Sequence, residues 1–120
     1  MNGSPVRVSA IDRMNRSLLV TGFPYNIHEN PDKPIERFIG ALMKAQAVRR
    51  MGSAAIDLAY VACGRYEGFW EVGLHPWDVA AGALLVTEAG GRVTDFSGGQ
   101  CSIYGKDIAA SNSVVHGELL

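Results

Sequence analysis

The chain's 120 residues suit one domain of ordinary size, and with 48% apolar residues it can bury a real core. Its 11 basic and 12 acidic residues leave a formal charge of −1, and apart from Arg49-Arg50 the basic side chains are scattered, so no nucleic acid and no anionic membrane finds an electrostatic footprint. Cys63 and Cys101 have no C-x-x-C or histidine-rich spacing, which argues against zinc; no signal-peptide pattern and no run of membrane-spanning length is present, and a soluble cytoplasmic protein is expected.

Strand and helix patterns alternate, which predicts an α/β domain. Val6 to Ser9 reads as a strand, and Leu18-Leu19-Val20-Thr21 as a second, apolar on both faces. A loop rich in Gly, Pro and Asn runs from Gly22 to Pro31. A helix follows from near Asp32 to Pro34, with Ile35, Phe38, Ile39, Leu42 and Met43 as its expected buried face. Ala47 to Arg50 is a third strand, feeding a turn at Met51-Gly52. Ser53 is placed to cap a helix that runs to about Cys63, with Ala55, Leu58, Ala59 and Ala62 as a small-residue face and Gly64 as its stop.

Gly68-Phe69-Trp70-Glu71-Val72 is a strand with an acid near its end. Pro76 suits the first position of the next helix, and Gly90-Gly91 ends it. Ala81, Leu84 and Leu85 fall at helical spacing from Trp77, so that face is expected to be buried. A strand around Arg92 to Asp95, a turn at Ser97-Gly98-Gly99, and a strand over 107–111 follow. Asn112 or Ser113 can cap a short terminal helix.

Three places can carry chemistry. Asp78 puts a carboxylate in the first turn of an alanine-rich helix, where it can either ligate a hard cation such as magnesium or simply complement the helix dipole. Glu71 lies seven residues earlier, at a strand end, where α/β proteins gather ligands. It can accept hydrogen bonds from a polyol or stand solvated. Gly52-Ser53-Ala54 opens a helix whose free N–H groups suit an oxygen-rich ligand, or it is an ordinary cap. The other polar groups read as structural. Asp57 is expected to point to a neighbouring N–H or to water, Glu88 to be solvated, His75 to sit in a loop or cap a helix, and Trp70 and Trp77 to anchor the core, while Arg49-Arg50 is either a phosphate site or, the preferred reading, a strand-edge pair facing solvent.

These segments also carry a resemblance. Thr21-Gly22-Phe23-Pro24-Tyr25, Arg49-Arg50-Met51-Gly52-Ser53-Ala54-Ala55-Ile56-Asp57-Leu58-Ala59, Gly64-Arg65-Tyr66-Glu67-Gly68-Phe69-Trp70-Glu71 and the run from Trp77-Asp78 to Gly90-Gly91 resemble, in order and spacing, the inositol monophosphatase family, especially its bacterial and plant members. The similarity covers essentially all 120 residues. It implies a layered α/β domain with a mixed sheet flanked by helices. It also implies a magnesium-dependent phosphomonoesterase, with Asp78 as a metal ligand and Glu71, Gly52, Ser53 and Ala54 contacting a small phosphorylated polyol such as inositol 1-phosphate.

One departure matters. The family's Asp-Pro-x-Asp-Gly-Thr signature and its upstream glutamate motif are absent, and in full-length members those segments supply most metal ligands. The resemblance therefore implies that residues 1–120 are the C-terminal domain of such an enzyme, lacking an N-terminal half, holding no catalytic residue assigned with certainty, and inactive alone. Family members commonly form homo-oligomers. Two other readings stay open: a related phosphatase for histidinol phosphate or a sugar bisphosphate, and a non-catalytic binding or assembly domain.

Overall fold

In a computed structural model, which describes residues 1–29 and 33–120, five strands form one mixed sheet with helices packed on it. The strands are β1 (Leu18–Thr21), β2 (Ala47–Arg49), β3 (Gly68–Val72), β4 (Arg92–Thr94) and β5 (Asp107–Ser111), in the order β2-β1-β3-β5-β4. β2, β1 and β3 are parallel, and β5 runs antiparallel to both β3 and β4. Parallel neighbours need a crossover. α1 (Pro34–Lys44) provides it from β1 to β2, and α2 (Ala54–Ala62) from β2 to β3. α3 (Pro76–Glu88) then joins β3 to β4, and α4 (His116–Leu119) follows β5. This is the layered α/β architecture that the alternating pattern predicts, and three strands carry the expected boundaries.

Strand alternation sorts the core into two layers. Val20, Phe69, Ile108 and Ala110 point to one face, where Leu58 and Val61 of α2 and Val79 and Val86 of α3 cover them. Leu19, Trp70 and Ala109 point to the other, against Met14, Val115 and the partly buried Ala41 and Leu119. Each fully buried aliphatic or Phe side chain of this kind contributes about 1.5–3 kcal/mol of transfer free energy. Glu71 shares the parity of Phe69, so it lies on the α2 and α3 face, beyond the apolar layer.

The structure corrects several expectations. Val6 to Ser9 joins no strand of the sheet; Val8 N–H instead donates to the Ala89 carbonyl at the end of α3. The expected buried face of α1 is largely turned outward: Ile35, Ile39, Leu42 and Met43 are exposed, Met43 by 81%. The expected helix start near Asp32 and the loop end at Pro31 lie outside the described residues. In α3 the inward face is Val79, Gly82 and Val86, whereas Trp77, Leu84 and Leu85 are exposed. The reason is Gly82. A Cβ added there would stand 2.5 Å from Leu58 Cβ, so the bare backbone of Gly82 is where α2 comes closest, and the face around it turns inward. Trp70 is a core anchor as expected, but Trp77 stacks on His75 at 4.5 Å near the surface, 77% exposed.

Candidate functional site

The C-terminal ends of β1 and β3 and the N-terminal ends of α2 and α3 meet at one edge of the sheet. There they enclose a cavity of about 400 Å³ lined by Gly22, Arg50, Gly52, Ser53, Ala54, Asp57, Glu71, His75 and Asp78 among others. Ligands of open α/β sheets collect at such strand ends. All five residues singled out from the sequence line this one cavity, although 26 positions separate Gly52 from Asp78.

Each is placed by local chemistry. Gly52 has φ +90°, a left-handed conformation that a side chain strains, and it turns the chain from β2 into α2. Ser53 is the helix cap: its Oγ accepts the Ile56 N–H at 3.4 Å, and its carbonyl accepts the Asp57 N–H at 2.9 Å. The N–H groups of Ala54 and Ala55, ahead of the first intrahelical bond, remain available at the cavity wall. Asp78 sits in the first turn of α3, and its Oδ2 accepts the His75 N–H at 2.9 Å. That bond makes Asp78 an N-terminal capping group and fixes its carboxylate at the rim. Glu71 reaches the cavity because Gly22 has no side chain: a Cβ there would lie 2.4 Å from Glu71 Oε1.

Asp57 departs from expectation. It is 1% exposed, and among the described residues its Oδ1 has no hydrogen-bond partner. Burial raises its pKa to about 6. Glu71 is raised to about 7, first by burial, then by the charges of Asp57 and Asp78, with Arg50 opposing. The site is therefore an acidic enclosure whose carboxylates repel one another. Three contributors to the cavity are not among the five candidates: Asp57, to which the sequence assigns a structural role, Arg50, which it places toward solvent, and Gly22, to which it assigns no role. The signal for Asp57 was present, an acid one turn into an otherwise apolar helix.

The donor set is hard oxygen, which suits magnesium and not a soft metal. The orphaned Asp57 oxygen and the mutual repulsion around Glu71 also fit an enclosure that takes up positive charge or hydrogen-bond donors. In number the set falls short: among the described residues no three His, Cys, Asp or Glu side chains are grouped to hold an ion.

Comparison with known proteins gives the family and its fold. The model of the inositol monophosphatase family matches residues 1–120, and the chain belongs to that family. It is 44% identical over 119 residues to an inositol-1-monophosphatase of Synechocystis, covering 99% of this chain and 42% of that protein. It is 46% identical over 115 residues to the Nus factor SuhB of Pseudomonas aeruginosa, covering 94% of this chain and 42% of that protein. The solved inositol monophosphatase of Anabaena superposes with a TM-score of 0.93 at 47% identity, over 98% of this chain and 47% of that one. The chain thus spans less than half the length of these relatives.

Proposed function

We propose that residues 1–120 form the C-terminal domain of a magnesium-dependent phosphomonoesterase acting on a small phosphorylated polyol such as inositol 1-phosphate. The observation that carries this reading is the convergence of Glu71, Asp78 and the α2 N-terminus on one cavity at the strand ends. Membership of the family and the name of the Synechocystis relative support the reaction class and the substrate.

In this reading Asp78 would be one ligand of a magnesium ion, and a preceding segment of the full-length protein would supply the others. Bound metal would offset charge on the phosphoryl oxygens and favour ionisation of water. The chain's own residues do the rest. The free N–H groups of Ala54 and Ala55 orient ligand oxygens, and Glu71 accepts from hydroxyls of the alcohol. Gly22 keeps Glu71 within reach. The acidic wall disfavours a phosphate entering in the wrong sense, so the ester is held alcohol-end toward Glu71.

One aspartate does not assemble a metal cluster, so the isolated 120-residue chain is expected to lack magnesium-dependent turnover of inositol 1-phosphate, and the full-length protein to show it. Turnover of about 1 per second by the isolated chain would overturn the half-site reading. Histidinol phosphate and a sugar bisphosphate belong in the same assay, because the cavity residues do not separate these alcohols. A non-catalytic assembly role draws support from a different feature, the exposed Ile39, Leu42 and Met43 of α1. The same apolar face suits the homo-oligomer that the family implies, and sedimentation of a Leu42→Glu variant tests it. Among the described residues no helix is long and apolar enough to cross a membrane.

A further inference from the structure

We infer that Asp57 is a specificity-determining residue of this cavity: its buried, unpartnered carboxylate turns to accept a hydrogen bond from a hydroxyl of the bound polyol, directly or through one held water. The inference rests on the polyol-phosphate reading of the cavity and adds a residue and a discriminating hydroxyl to it. Three observations carry it. Asp57 lines the cavity, it is 1% exposed, and its Oδ1 is without a partner among the described residues. A buried acceptor left open costs stability, and the ordinary remedy is a local donor. No donor among the described residues bonds that oxygen; Ser53, at the cap of the same helix, accepts from Ile56 N–H and Asp57 N–H. The inference assigns that donor to what the cavity binds.

The chemistry selects the kind of donor. Asp57, Glu71 and Asp78 surround the space, with Arg50 at its edge. A phosphate at Asp57 would be repelled. A hydroxyl donates without adding charge, and an ionised carboxylate is an acceptor only. Burial places the Asp57 pKa at about 6, so it is mostly ionised above neutrality and ready to accept. A buried acceptor built for one hydroxyl discriminates strongly against an analogue that lacks it, because the acceptor is then left unpaired.

The test uses the full-length protein, with myo-inositol and its monodeoxy analogues as probes and ligand-observed NMR or calorimetry as the readout. The parent should lose roughly tenfold or more in affinity on removal of one particular hydroxyl. Asp57→Leu should abolish that discrimination, Asp57→Asn should retain part of it through its amide oxygen, and Glu71→Gln should leave it in place while altering discrimination at another hydroxyl. Asp57→Leu should also melt no lower than the parent, since it removes an unpaired buried carboxylate. Unchanged discrimination in Asp57→Leu, no polyol binding by the parent, or a melting temperature several degrees lower in both variants would each overturn the inference. Phosphate-ester hydrolysis by the parent is measured alongside. A parent that hydrolyses esters while Asp57→Leu discriminates normally removes the role of Asp57 and leaves the proposed function standing. A parent that discriminates through Asp57 but hydrolyses no ester does the reverse.

Discussion

Two buried polar groups in this small domain are treated in opposite ways. At the β4 and β5 edge, His116 is fully buried and both ring nitrogens are bonded, Nδ1 to Ser111 Oγ and Nε2 to Thr94 Oγ1, each at 2.7 Å. Thr94 Oγ1 donates to the Asp95 carbonyl, so it accepts from Nε2–H, and Nδ1 in turn accepts from Ser111. The network fixes one neutral tautomer and ties α4 to the sheet. At the opposite end, Asp57 is as deeply buried and its Oδ1 has no partner among the described residues. A polar group that serves the fold is satisfied within the fold. One left open beside a cavity fits the role inferred for Asp57, meeting a donor that the ligand brings.

The largest expected effect lies at the open end. In the full-length protein, Asp78→Asn should keep α3, because an amide oxygen can still accept the His75 N–H, yet lower kcat by roughly a hundredfold or more and raise the magnesium requirement. A magnesium titration beside the parent checks it. Wild-type behaviour at limiting magnesium would reduce Asp78 to a helix cap.

At the satisfied end the effect should fall on stability. His116→Ala leaves Ser111 and Thr94 without their partner and opens space under α4, costing about 2–4 kcal/mol, visible as a clear drop in Tm with the cavity chemistry intact. An equal loss of magnesium response in this variant would break the division between the two ends.

Glu71→Gln should be milder. It removes a charge from the alcohol end and relieves repulsion with Asp57 and Asp78. KM should rise by about tenfold with a smaller change in kcat and little change in magnesium dependence. A kcat collapse matching that of Asp78→Asn would place Glu71 among the metal ligands.

The smallest effect is also the most specific, because the two ends answer pH with opposite signs. The folded-state pKa values of Asp57, about 6, and Glu71, about 7, lie above their ordinary values of 3.8 and 4.5. The folded state therefore binds protons more tightly, and their contribution to stability falls as pH rises from about 4 to 7. His116 is shifted the other way: burial and Arg92 lower its pKa below 6.5, so its contribution is lost as pH falls below that value. The two trends oppose each other in the parent. In Asp57→Asn one acid term is gone, and stability measured by denaturant titration should decline more steeply on acidification through pH 6. A slope identical to the parent's would show that Asp57 does not titrate there.

What the sequence determined by itself was everything governed by neighbours along the chain. The strands over 18–21, 68–72 and 107–111 were legible because their apolar and β-branched runs end in turn residues, and the cap at Ser53 and the helix start at Pro76 because helix-start chemistry spans only three or four positions. The candidate residues Asp78, Glu71 and Gly52 to Ala54 stood out through the family pattern, because positions at strand and helix ends serve capping and solvation equally well; folding brings all five to one cavity. Orientation was not. Periodicity states that a helix has an apolar stripe but not which stripe meets the core, and the exposed Met43, Leu84 and Trp77 show the difference. In α3 the choice fell to Gly82, whose missing side chain lets α2 approach, a contact 24 residues away in the chain. The open carboxylate of Asp57 was likewise invisible, because whether a buried acid finds a donor depends on every group that folding brings around it.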